Sequence, residues 1–414
     1  MTCGADGRDV GSSYLRTAGP RRAPVRQLVV ATIERPGSRT GAHTHVQELR
    51  RYLGRSGAPP ALVTPYSWGG PLSLPVFGAR MGLERLSTAA SVRWYYHWHE
   101  VFLHRALQRH LARTPDVVVY AQDPRAARAA LRARHGAQRV LMAVHFQGTE
   151  AAEWAANGKI RRGGAVYERI RRLERETVPR LDGIVYVSEA AREELLDWLP
   201  EAAAVPSAVI PNFVSRVDAP RPSRLLGDLV TLGRIEPIKN QTYLAEVLAA
   251  ARRAGRSYTL DVYGDGSMRG RLVQQARALG VADLVRVRGF RADARRSLPG
   301  YRAYVHASLR ESQSLAIVEA QAAGLPVLAG DVGGVRSVCD EGSGARFWPL
   351  DDEERAATIM IDLLDDESAR RRAAAASLLR FRRTFDADVV APRLHAFLTG
   401  LDGDLAAPDT AVAR

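Results

Sequence analysis

Cysteine, lysine and long apolar runs are scarce in this chain, and each scarcity narrows what it does. The 414 residues hold two cysteines, Cys3 and Cys339, too few for a disulfide framework and wrongly spaced for zinc, so a reducing, cytosolic setting is expected. No stretch approaches the roughly 18 uninterrupted apolar residues of a membrane span. Arg21-Arg22 is followed by Ala-Pro-Val-Arg-Gln, which offers no apolar core for an export signal. Nothing repeats at the period of about 20 to 50 residues that marks solenoids and propellers. Lysine is confined to Lys159 and Lys239, and every other basic residue of the 59 is arginine, so the position of a lysine carries information.

What is present is an ordinary globular composition, 46% hydrophobic and 25% charged, far from collagen-like or disordered chains. The length excludes a peptide hormone or a small stapled scaffold and suits two to three domains with buried cores. The net charge of +14 favours anionic partners such as nucleotides, acidic lipids or nucleic acid, without choosing among them.

Residues 1–24 and 403–414 lack apolar periodicity and are expected to be loose tails. Between them, short apolar runs alternate with helical patterns. The first run, Gln27 to Ile33, lies between Pro24 and Pro36 and has the composition of a strand buried on both faces. Similar runs follow at 60–64, 116–120, 139–144, 183–187 and 206–210. Pro211, Pro220 and Pro222 then break the alternation, which restarts at 228–233 and continues at 258–263, 284–288, 302–307 and 325–329. The expected fold class is α/β: two Rossmann-like, doubly wound parallel sheets in tandem, facing across a cleft. The expected limits are 25–215 and 216–385, with 386–402 as a last helix returning to the first domain. Open sheets of this kind bind ligands at the carboxyl ends of their strands, so the cleft is the expected site.

The most informative segment is Glu311-Ser-Gln-Ser-Leu-Ala-Ile-Val-Glu319, directly after a strand-like run. Ser314 is placed to N-cap a helix whose first amides, from Leu315, Ala316 and Ile317, point outward with the positive end of the dipole. Such an end attracts phosphate. Glu311 falls in the preceding loop and Glu319 in the second helical turn. Thr231-Leu-Gly-Arg-Ile-Glu-Pro-Ile-Lys239 puts Arg234 and Lys239 at the carboxyl end of another strand, where together they can neutralise a diphosphate. His145 ends a first-domain strand, where a structural and a functional role are evenly weighted. The pairs His43/His45 and His97/His99 are spaced i, i+2 and share no helix face, so no metal cluster is read there. Asp386-Ala-Asp388 and Asp402-Gly-Asp404 are read as surface charge rather than as a metal motif. The aromatic stretch Trp94 to Phe102 reads as a core-facing helical stripe. Arg161-Arg162 and Arg169 to Arg175, interleaved with acids, read as a solvated helix that leaves peripheral membrane contact open.

These motifs together resemble the retaining nucleotide-sugar glycosyltransferases of glycosyltransferase family 4, which have the GT-B fold. The resemblance rests on Gly233-Arg234 with Lys239, Tyr263-Gly-Asp-Gly266, and Glu311 with Glu319, in that order. Ala323-Gly-Leu-Pro-Val327, Gly333-Gly334, Val187-Ser188-Glu189, Ile210-Pro-Asn212 and Val144-His145 extend it over most of the chain. It implies transfer of a sugar from a nucleoside diphosphate, commonly UDP-linked glucose or N-acetylglucosamine, with the anomeric configuration kept and without a metal. By that likeness Arg234 and Lys239 hold the diphosphate, Glu319 bonds the ribose, and Glu311 bonds the donor sugar. Gly41 brings an amide near the phosphates and His145 sits near the sugar, with Gly264, Ser314 and Leu315 as further donor-binding residues. The chain departs from the family where Gln313-Ser314 replaces Phe-Gly and Gly41-Ala42 replaces a double glycine. The acceptor is left open between a glycan, a lipid-linked sugar and a small natural product. The competing readings are a nucleotide-sugar epimerase of related fold and a non-enzymatic polyanion-binding protein. No nucleic-acid motif supports the latter.

Overall fold

Each of the eleven apolar runs forms a strand, and every strand pairs in parallel. In this computed structural model the described residues run from 27 to 400, apart from 38, 39, 56, 58, 70–72, 147, 217–221 and 341. The expected tails therefore lie outside the described residues, as do Cys3, Pro220 and Asp402-Gly-Asp404. The first sheet comprises β1 (Gln27–Ala31), β2 (Ala61–Val63), β3 (Val117–Ala121), β4 (Arg139–Val144), β5 (Gly183–Tyr186) and β6 (Ser207–Val209), in the order β2-β1-β3-β4-β5-β6. Its central strand β3, Val-Val-Val-Tyr-Ala, is fully buried, as expected of a strand covered by helices on both faces.

The second sheet holds β7 (Leu229–Leu232), β8 (Leu260–Tyr263), β9 (Val285–Gly289), β10 (Ala303–His306), β11 (Val327–Gly330) and β12 (Ala345–Trp348), ordered β12-β11-β10-β7-β8-β9. Strand β12 escaped the sequence reading. Its Ala-Arg-Phe-Trp is a half-buried edge strand carrying an arginine, so it has no apolar run to announce it. Helix Glu367–Thr384 packs on helix Leu315–Ala322 of the second domain and buries Phe381. The chain then crosses over, and helix Ala387–Thr399 buries Val390, Leu394 and Leu398 against Leu28, Leu49 and Tyr120 of the first domain.

Two expectations change here. Asp386 is not surface charge: it is 1% exposed, bridges to Val214 and pairs with Arg216 at 2.5 Å, fastening the crossover. The aromatic stripe is divided, since Tyr96, His99 and Phe102 are buried whereas Tyr95 reaches the cleft. Among the described residues no helix is long and apolar enough to cross a membrane.

Candidate active site

Strand order reverses between β1 and β3 in one sheet and between β7 and β10 in the other. At such switch points the loops after neighbouring strands diverge and leave a crevice at the carboxyl ends. Here both crevices open into one cavity of about 760 Å³, lined by residues of both domains.

Its floor is tied across the domains by the loop after β10. The Ser188 hydroxyl donates to the Ser312 carbonyl at 2.6 Å, and the Ser312 hydroxyl donates to the His145 carbonyl. The Gln313 side-chain oxygen accepts from the Asn212 amide at 2.6 Å, and Arg310 pairs with Glu194 at 3.2 Å. The Gln313-Ser314 departure noted in the sequence thus has a local role, because the Gln313 amide group docks on first-domain backbone.

Glu311, Lys239, Arg234, Glu319, Ser314, Leu315, Gly41 and His145 all line this cavity. Lys239 ends a short turn, Pro237–Lys239, and donates to Glu311 at 2.5 Å; His306 Nε2 lies 3.0 Å from the same oxygen. Burial alone would raise the Glu311 carboxyl, but the Lys239 ammonium and the His306 imidazole hold it well below the usual carboxylate range. Arg234 points a half-exposed guanidinium into the cleft and is steadied by Glu236 at 2.7 Å, itself held by the Ser267 hydroxyl.

Ser314 occupies the N-cap position of helix Leu315–Ala322, but its hydroxyl makes no capping bond. Opposite it, Gly41 opens helix Gly41–Leu53, capped by the Thr40 hydroxyl. A Cβ on Gly41 would sit 3.6 Å from Leu315 Cδ1, an ordinary contact, so two helix N-termini converge on the same space. Burial pushes the Glu319 carboxyl up to about 7, with Arg295 opposing the rise and Glu48 adding to it. Burial likewise lowers His145 to about 4, so its imidazole is neutral at physiological pH, 3.1 Å from the Gln122 oxygen.

Gly264 stands apart from the others: it is not among the cavity-lining residues. Its φ is +155°, and a Cβ there would lie 1.8 Å from the Gly233 carbonyl oxygen. Gly264 therefore lets the end of β8 press against the Gly233-Arg234 turn, supporting the site from behind.

The cavity also contains residues the sequence reading passed over. Glu34 follows β1, Gln122 and Asp123 follow β3, and Glu150, Glu153 and Trp154 lie on helix Glu150–Ala156. The signal for Asp123 was present, since Asp123-Pro124 after an apolar strand is an N-cap followed by proline at N1. Glu150 and Glu153 carried no such mark.

Two family models match the chain, one per domain: Glycosyltransferase Family 4 over residues 39–216 and Glycosyl transferases group 1 over residues 227–366. Among curated proteins, the GtfA subunit of UDP-N-acetylglucosamine–peptide N-acetylglucosaminyltransferase from Streptococcus gordonii is 28% identical over 155 residues, covering 37% of this chain and 30% of that protein. The poly(ribitol-phosphate) alpha-N-acetylglucosaminyltransferase of Staphylococcus aureus is 24% identical over 157 residues, with 38% and 31% covered. The aligned stretch is thus less than a third of either relative's length. The structure of HepE from Anabaena in complex with UDP superimposes with a TM-score of 0.66 at 17% identity, covering 90% of this chain and 100% of that one. With both domains matched and the paired sheets superimposed, the chain belongs to the family 4 glycosyltransferases and has their GT-B fold.

Proposed function

We propose that the protein transfers a sugar from a nucleoside diphosphate, with UDP-glucose or UDP-N-acetylglucosamine as first candidates, to an acceptor hydroxyl, keeping the anomeric configuration. The observation that carries this reading is the Lys239–Glu311 pair beside Arg234 and an uncapped helix start, all in one cleft between two switch points. The chemistry asks little of a nucleophile. The acceptor oxygen bonds to the anomeric carbon as the bond from that carbon to the diphosphate oxygen breaks. The acceptor proton passes to a diphosphate oxygen on the same face, and nucleoside diphosphate leaves. Negative charge accumulates on the diphosphate, where Arg234, Lys239 and the first amides of helix Leu315–Ala322 stabilise it. Glu311, kept ionised, accepts hydrogen bonds from donor-sugar hydroxyls, and Glu319 does the same for the ribose. Neutral His145, donating through Nε2 to Gln122, presents Nδ1 as an acceptor near the sugar.

Neither the epimerase nor the polyanion-binding reading is favoured by these features. Cytosolic action remains part of the proposal; it is supported by Cys339, which is a free, buried thiol. The test is UDP release and mass-detected glycosylation across a set of UDP-sugars, with Glu311→Ala and Lys239→Ala. Each substitution is expected to lower turnover by about 100- to 1000-fold while the fold persists. Full turnover in both variants would overturn the assignment.

A further inference from the structure

The cleft has a charge pattern opposite to that of the molecule. The chain carries a net +14, yet the first-domain wall of the cavity holds five carboxylates, Glu34, Glu84, Asp123, Glu150 and Glu153, against one cation, Lys159. Arginine is abundant enough to neutralise all five, yet among the described residues none of them has an ion-pair partner within 4.0 Å. Their hydrogen-bond donors are neutral. Glu34 accepts from the Thr40 hydroxyl, Asp123 from the Ile33 and Ala126 amides, and Glu150 from Tyr96 and Trp154.

The unsatisfied atoms on this wall are also of one kind. Glu150 Oε2, Asn157 Oδ1 and Asn212 Oδ1 are buried oxygens without a hydrogen-bond partner. The Asn157 amide nitrogen donates to the Glu153 carbonyl at 3.1 Å, which fixes its orphaned atom as the oxygen. Asn212 is only 4% exposed, its backbone amide already taken by Gln313. A buried acceptor without a donor costs about 1–3 kcal/mol, so three on one wall call for a ligand rich in hydrogen-bond donors, N–H or O–H, and the unpaired carboxylates beside them favour the charged N–H kind. Burial, reinforced by Glu150 and Glu34, pushes Asp123 up to about 7 despite its two amide donors, a further sign that positive charge is missing here.

We propose that the acceptor is an amine-bearing polyol, a hydroxylated ring with at least two protonated amino groups, held against this wall. The inference rests on the glycosyltransferase reading and names the substrate class for its acceptor half. A metal ion is the less suitable occupant, because among the described residues no three His, Cys, Asp or Glu side chains converge to hold one. Trp154 and Tyr95, with ring centroids 6.5 Å apart, add aromatic faces suited to a ring's C–H face or to an ammonium. One hydroxyl of such a ring would accept the sugar while its amines stay unreacted.

The test is calorimetric binding to the full chain saturated with UDP, using three probes: a diaminocyclitol, its di-N-acetyl derivative, and myo-inositol. The diamine is expected to bind at least tenfold more tightly than either neutral ring, and product should form only from the diamine when a UDP-sugar is supplied. Glu84 and Glu153 are exposed to the cleft, so Glu84→Gln/Glu153→Gln is expected to fold and to weaken the diamine at least tenfold without weakening UDP, since it removes only negative charge from the neighbourhood of Lys239 and Arg234. Equal or better binding of a neutral ring, no diamine binding at millimolar concentration, or an unchanged diamine affinity in the double variant would each overturn the proposal. Failure of UDP itself to bind would instead overturn the glycosyltransferase reading beneath it.

Discussion

Replacing Lys239 with methionine keeps the aliphatic stem and removes the charge, which separates two roles of one side chain. In the free protein the ammonium sits 2.5 Å from Glu311, with side chains 30% and 9% exposed respectively. Breaking a fully buried pair costs about 3–5 kcal/mol, but Lys239 is partly solvated and His306 still faces the same carboxylate oxygen, so about 1–3 kcal/mol is expected. At about 2–4 °C per kcal/mol for a domain of this size, Tm should fall by roughly 2–12 °C. In the proposed reaction the same ammonium faces a diphosphate gaining charge in the transition state, and its loss should then cost about 100- to 1000-fold in kcat. The depressed Glu311 pKa gives the pH signature. A carboxyl lowered on folding contributes stability above its unfolded value of about 4.5, and that contribution is lost as pH falls through the folded value. The gap in Tm between wild type and Lys239→Met should therefore be full at pH 7 and narrow progressively as pH falls below about 4.5. UDP-release kinetics and melting curves at pH 3 to 8 measure both effects. Activity within threefold of wild type, or a Tm gap that widens in acid, would refute the reasoning.

Three further outcomes are expected. Glu319 has a raised pKa, so its favourable contribution is complete below about 4.5 and lost as pH rises through about 7; Glu319→Gln should flatten the fall in Tm between pH 5 and 8 while weakening UDP binding in titration calorimetry. Gly264→Ala puts a methyl 1.8 Å from the Gly233 carbonyl oxygen at a φ of +155°, so soluble yield or Tm should drop sharply, and any folded fraction should show reduced turnover through the displaced Arg234 turn. Gln313→Ala leaves the Asn212 amide without its side-chain partner at about 1–3 kcal/mol and should lower kcat more than UDP affinity, measured by comparing turnover with UDP calorimetry.

The parts of this fold that were legible in sequence are those where one local rule decides the outcome. Runs such as Val-Val-Val-Tyr-Ala are short, rich in β-branched residues and apolar on both faces, which favours a buried strand over a helix, and they fell where expected. That Glu311 and Glu319 line one cavity was legible for a similar reason, since nine consecutive residues of one strand–loop–helix connection hold both. Strand β12 was hidden because an edge strand needs no continuous apolar run. Gly264 was read as facing the donor because it sits in a recognisable turn, yet the sequence does not say which side of that turn meets the ligand. The acidic wall was harder still. Its carboxylates follow β1, follow β3, and lie on two separate helical segments, so only folding assembles them.

The two sides of the cleft make different demands on binding. On the second-domain side, Lys239 and Arg234 have carboxylate partners in the free protein, Glu311 and Glu236. In the proposed reaction a diphosphate arriving there competes with those partners, which would limit how tightly the product is held and favour its release. On the first-domain side the carboxylates have no cationic partner among the described residues, so a cation arriving there displaces only water. The loop from Arg310 to Ser314 touches both sides, through Glu194, Ser188, His145 and Asn212. Charge placed on either wall therefore meets one shared segment, whose Glu311 side chain lines the cavity between them. Under the proposed reaction, that connection is a contact path along which occupancy of the acceptor side would bear on the donor side.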